Sequence, residues 1–167
     1  MVNVTDIEVL LPEIRAYARS ICLSTIEAED LVQDAVERAL RSDTRPKDLA
    51  DLRPWMFRVV RNLFYDELRK HRVRREYSTA QARLSSDGSS LPDRENDVLL
   101  RLAYEKLKPE FKEILFLVDV MGLKYIEAAR VIEAPKGTVM SRVSRARKAL
   151  LELVGRDDNS SAASKRV

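Results

Sequence analysis

Arg58, Arg61, Asn62, Tyr65 and Arg69 stand 3, 1, 3 and 4 residues apart, a spacing that puts them on one surface of a helix. Cations alternate there with an aromatic ring and an amide, and Trp55 and Phe57 lie at the N-terminal end of the same stretch. Guanidinium groups can follow phosphates while rings stack on unpaired bases at about 1 to 3 kcal/mol each. The chemistry this surface suits is therefore a grip on single-stranded nucleic acid, with Asn62 placed to read a base edge. The plainer reading keeps Trp55 and Phe57 as core aromatics and the arginines as a solvated face paired with an acidic helix. Docking on an anionic membrane is weaker, because Met56, Val59, Val60, Leu63 and Leu68 form an apolar stripe that the domain needs for its own core.

A second constellation lies in KYIEAARVIEAPKGTVMSRVSRARK, residues 124–148. It divides into a short helix with Ala128, Ala129 and Ile132 inward, a turn around Glu133 to Lys136, and a longer basic helix. Val139, Val143, Ala146 and Leu150 recur at 4, 3 and 4 as a buried edge. Lys136, Thr138, Ser141, Arg142 and Arg145 then face outward near the helix N-terminus, where a reader of the DNA major groove carries its contacts. Arg142 and Arg145 could bond guanine edges or phosphates, and Thr138 and Ser141 are short enough for close approach. An ordinary helical hairpin with a basic surface is the alternative.

The charge distribution agrees with two separate contacts on a polyanion. Residues 1–52 hold 6 basic and 11 acidic side chains, residues 53–76 hold 8 and 3, and residues 136–148 hold 5 basic and none acidic. The overall balance of +3 hides this segregation. One cysteine, Cys22, excludes an internal disulfide and suits a reducing cytoplasm. Cys22 itself reads as a small core residue rather than a redox sensor. No stretch is long and apolar enough to insert in a membrane, and the acidic N-terminus is unlike a secretory signal. The single His71 lies far from Cys22, so no zinc-ligand spacing exists, and the four scattered glycines form no phosphate-cradling loop. Nothing recommends an enzyme, a metal site or a cofactor.

The elements that must position these residues are all helical. A first helix is expected from about Asp6 to Cys22, interrupted or bent near Pro12, with Leu10, Ile14, Tyr17 and Ile21 at helical spacing. Ser24 and Glu27 form a capping box for a second, Thr25 to about Arg41. Its inward face carries Leu31, Val32, Ala35, Val36, Ala39 and Leu40, and its outward face Glu27, Asp30, Asp34 and Glu37. After a polar connection, Ser42 to Asp51, Pro54 marks the start of the longest helix, ending about Arg75. The Ser-rich stretch 79–94 reads as a flexible linker. A second helical group follows at Glu95–Leu107, Pro109–Met121, Tyr125–Ile132 and Gly137–Val154, and 156–167 reads as a disordered tail. The fold class is all-α, two small domains (1–78 and 95–155), the second a helix-turn-helix.

The order of EAEDLVQDAVERAL, LRPWMFRVVRNLFYDELRKHR, a loose tether and GLKYIEAARVIEAPKGTVMSRVSRARKAL resembles bacterial RNA polymerase sigma factors of the extracytoplasmic-function (ECF) class, over roughly residues 10–154. The central helix also looks like the subgroup that runs general stress responses. The resemblance implies a non-enzymatic, cytoplasmic subunit that directs core RNA polymerase to promoters, helps melt the DNA and is held by an anti-sigma factor. It assigns Asp30, Leu31, Gln33, Asp34 and Arg38 to core polymerase docking. The minus-ten element falls to Trp55, Phe57, Arg58, Arg61, Asn62, Tyr65 and Arg69 with the preceding loop Ser42 to Arg53, which would capture flipped bases. The minus-thirty-five element falls to Lys136, Thr138, Ser141, Arg142 and Arg145. Three departures stand out: Met140 replaces a residue that is often basic or polar, Glu133 fills a turn position usually given to glycine, and Lys124 replaces a small hydroxyl that caps a helix. Two other readings remain open, a sigma-like decoy that sequesters an anti-sigma factor and a free-standing helix-turn-helix repressor.

Overall fold

A computed structural model describes the backbone at residues 4–77 and 95–164, and side chains over 5–73 and 98–155. Every element among the described residues is helical, and the chain divides into two compact units. The expected linker, 79–94, lies outside the described residues.

The first unit is built from α1 (Val4–Ile21), α2 (Thr25–Arg41) and α3 (Leu49–Tyr77), each packed on the other two. Helix α1 runs unbroken through Pro12, contrary to the expected interruption. The proline removes one donor, and the buried Ile7, Leu10, Ile14 and Tyr17 along the inner face hold the helix together around it. Ser24 caps α2 by accepting from the Glu27 amide at 3.2 Å, while the Glu27 carboxylate accepts from the Leu23 amide at 3.3 Å. Leu31, Val32, Ala35 and Ala39 are buried as expected, but Leu40 is 49% exposed and Val36 only half-buried. The apolar arc is thus one position narrower than the composition suggested.

Helix α3 begins at Leu49, five residues before the proline read as its start. The Leu52 amide already donates to the Asp48 carbonyl at 2.8 Å, and Leu52 is fully buried, so a core contact fixes this first turn and Pro54 rides inside it. Met56 and Val60 are fully buried, whereas Leu68, expected in the core stripe, is 45% exposed.

The C-terminal half of the chain folds into α4 (Glu95–Glu105), α5 (Pro109–Leu115), α6 (Tyr125–Ile132) and α7 (Lys136–Ser164), with α7 packed on α4 and α5. Pro109 occupies the first turn of α5, where its missing donor costs nothing. The Tyr104 hydroxyl donates to the Lys112 carbonyl at 2.8 Å and ties α4 to α5. The phenol pKa is pushed up to about 12 by burial, with the nearby Glu105 charge adding to it. Helix α5 continues into a single π-turn, Phe116–Val120, closed by the Met121 amide on the Phe116 carbonyl at 2.8 Å. The tail expected to be disordered from residue 156 instead continues α7 as far as Ser164.

Candidate nucleic-acid interfaces

Helix α3 carries the first candidate interface. Its N-terminal end is fixed by Arg53, whose Nε donates to the Glu13 carboxylate of α1 at 2.6 Å and whose guanidinium lies 5.8 Å from the Phe57 ring centroid. Phe57 must be removed from the strand-gripping set. It is 1% exposed, and its ring meets Tyr17 edge-to-face at 5.2 Å, because position 57 adjoins Met56 and Val60 in the buried arc of α3. Trp55 is half-buried and Arg58 exposed.

Further along the same face, the Arg61 guanidinium sits over the Tyr65 ring at 4.5 Å, and Phe64 meets that ring edge-on at 5.4 Å. Charge and aromatic surface are thus assembled as one unit beside Asn62, all three side chains partly exposed. Arg69, one turn on from Tyr65, is exposed and pairs with Asp66. Arg58, Arg61, Asn62 and Tyr65 thus lie within about two turns of α3, Arg61 and Tyr65 in direct contact, while Arg58 and Arg69 each share their charge with a carboxylate.

Helix α7 carries the second candidate interface. Val139, Val143 and Ala146 are buried, which turns Lys136, Ser141 and Arg145 to the surface and leaves Thr138 and Arg142 partly exposed. The Ser141 hydroxyl donates to the Thr138 carbonyl at 3.0 Å, and Arg145 Nε donates to the Ser141 carbonyl at 3.4 Å, laying the guanidinium along the helix surface. Met140 is 49% exposed. Glu133 takes the left-handed conformation, φ 53°, that a glycine would adopt freely, so this turn carries a local cost of about 1 kcal/mol. Lys124 offers no hydroxyl, yet its amide is still satisfied: the Glu127 carboxylate reaches back to it at 2.7 Å.

Arg147, also on α7, serves the fold. Its guanidinium pairs with Asp119 of the π-turn through both Nε, at 3.1 Å, and Nη2, at 2.5 Å. This pairing, with a lesser contribution from Tyr125, holds the guanidinium more firmly protonated than usual. Sequence reasoning counted Arg147 only as part of a basic cluster; its relation to Asp119, 28 residues away, carries no local signal.

The outer face of α2 offers Asp30, Gln33, Asp34 and Arg38, all exposed. Leu31 belongs to the core, at 9% exposure, and is not part of that face. Glu29 beside it accepts from Arg19 at 2.9 Å and Arg15 at 3.3 Å, and the Arg19 hydrogen bond above all draws its carboxyl below the usual range. Cys22 is partly buried just after α1, and burial, reinforced by the charge of Glu27, raises its thiol to about 11.

The chain matches the Sigma-70 region 2 family over residues 7–74 and the Sigma-70 region 4 family over residues 90–150. It is 35% identical over 159 residues to the ECF RNA polymerase sigma factor EcfG of Rhodopseudomonas palustris (strain TIE-1), a relation spanning 92% of this chain and 87% of that protein. The chain belongs to the ECF sigma factors. Among solved structures, the sigma factor RpoE of Bartonella quintana, in complex with the anti-sigma factor NepR, superimposes with a TM-score of 0.77 at 30% identity. That match covers 90% of this chain and 95% of RpoE. The PhyRSL–NepR complex of Sphingomonas sp. Fr1 shares the fold, at a TM-score of 0.68 and 18% identity over 90% of this chain and 87% of that one. In this sigma factor α1–α3 make up region 2 and α4–α7 region 4, and no helix among the described residues is long and apolar enough to cross a membrane.

Proposed function

We propose that the two regions divide the work of promoter recognition between an unpaired strand and an intact groove. Region 2, residues 1–78, docks on core RNA polymerase through Asp30, Gln33, Asp34 and Arg38. It holds the non-template strand of the minus-ten element with Trp55, Arg58, Arg61, Asn62, Tyr65 and Arg69. The observation that carries this is the Arg61–Tyr65 stack beside Asn62, which offers a cation, a ring and an amide to one nucleotide step. Binding of the displaced bases offsets the cost of unstacking them, so the duplex is held open without ATP.

Region 4, residues 95–155, reads the minus-thirty-five element through Lys136, Thr138, Ser141, Arg142 and Arg145. The stretch 79–94 links the two; the region 4 family match begins at residue 90, inside it. The protein acts in the cytoplasm, is not itself an enzyme, and is held inactive by an anti-sigma factor. The NepR complex of the similar Bartonella quintana RpoE supports that regulation. The resemblance of LRPWMFRVVRNLFYDELRK to the general-stress subgroup supports a role in stress.

Reconstituted transcription with sigma-free core polymerase on a selected genomic library tests the reading. Initiation from mapped start sites is the expected result. Complete inactivity with retained anti-sigma binding would favour a decoy, and tight specific duplex binding without polymerase would favour a repressor.

A further inference from the structure

The loop between α2 and α3, residues 42–48, is exposed at Asp43, Thr44, Lys47 and Asp48 but drawn inward at Arg45 and Pro46. The last carbonyls of a helix lack intrahelical donors and carry partial negative charge. Here the Ala39 carbonyl of α2 accepts twice, from the Ser42 amide at 3.4 Å and from Arg45 Nη1 at 3.0 Å. Ser42 and Thr44 are also joined through their hydroxyls at 3.1 Å. Arg45 thus reaches back six residues and folds its own loop onto the end of the helix whose outer face is assigned to polymerase docking.

We propose that Arg45 is a positioning residue for the minus-ten site. By fastening the loop to the C-terminal end of α2, it shapes the loop before any base arrives and makes the docking helix and the base-holding loop one body. Ordering the loop in advance removes an entropic cost that base capture would otherwise bear. This inference rests on the reading that the loop and α3 together hold the unpaired strand.

Full-length Arg45→Met, which keeps the aliphatic stem without the donor, and Arg45→Lys, which keeps a donor and the charge, provide the test. Hydrogen exchange in the free protein is expected to show the loop amides, Ser42 above all, exchanging about tenfold faster in Arg45→Met, with those of α1 and the first three turns of α2 unchanged. In holoenzyme, core affinity should stay within about twofold, while open-complex formation, read by 2-aminopurine at the captured base, falls about tenfold. Arg45→Lys should recover most of both losses.

Unchanged loop exchange in Arg45→Met would overturn the proposal, even if opening fell, because Arg45 would then act on DNA directly. Unchanged opening, or a parallel loss of core binding, would overturn it too. A wild-type holoenzyme that opens no promoter from the library would overturn the base-capture reading itself and this inference with it.

Discussion

At the scale of single residues, Asn62 is the proposed reader of a base edge, next in sequence to Arg61 of the stacked Arg61–Tyr65 pair. Losing one base-edge contact costs about 1 to 3 kcal/mol. Asn62→Ala is accordingly expected to slow promoter opening about tenfold or more while leaving initial closed-complex binding nearly intact, as permanganate footprinting and filter binding would measure. Arg145→Ala should weaken upstream-element binding and reduce the salt slope of log K by about 1, checked by titration across ionic strength. Cys22 offers a pH signature. Burial lifts its folded pKa to about 11, above the ordinary thiol value of 9.0. The protonated thiol is therefore favoured by folding, and this contribution is complete below about pH 9 and lost as pH rises toward 11. Urea unfolding of wild type and Cys22→Ala between pH 8 and about 11 should show a pH-dependent stability component that the variant lacks, together with slow alkylation at neutral pH.

At the scale of elements, Phe57 separates core from surface on α3. With its ring buried against Tyr17, Phe57→Ala should destabilise region 2 by about 3 to 5 kcal/mol in chemical denaturation, whereas a ring reserved for base stacking would cost little stability. The helices were legible where local chemistry marks their ends: Ser24 and Glu27 announce α2, and its bounds are those the spacing gives. The start of α3 was not, because Pro54 is a strong local signal and the contact that overrides it, Leu52 in the core, is a tertiary one. The division of α7 into a buried edge and an exposed basic face was legible from intervals of three and four residues. Phe57 was misplaced because an aromatic beside an exposed stripe looks the same in sequence whether its ring points inward or outward. The role of Arg45 was hidden for another reason: its partner is a backbone carbonyl, which no residue type reveals.

At the scale of the whole molecule, the candidate residues of α3 and those of α7 belong to separate compact units, so the proposed reading needs both units on one promoter. The expected outcome is weak duplex binding by the isolated chain, near the nonspecific range of about 10⁻⁴ to 10⁻⁶ M at physiological salt, and specific promoter binding only with core polymerase present. Fluorescence anisotropy on the same promoter fragment, with and without core enzyme, measures both. Within region 4, the π-turn at Phe116–Val120 amounts to one residue more than an α-helix would need over the same span. Deleting Val118 would let the helix close regularly, yet each residue of an α-helix accounts for about 100° of rotation. Asp119 would swing away from Arg147, so a chain shortened by one residue here would keep its helix and lose the brace of its reading helix. Single-residue length changes at this point are therefore expected to be selected against, although the local backbone would accommodate them.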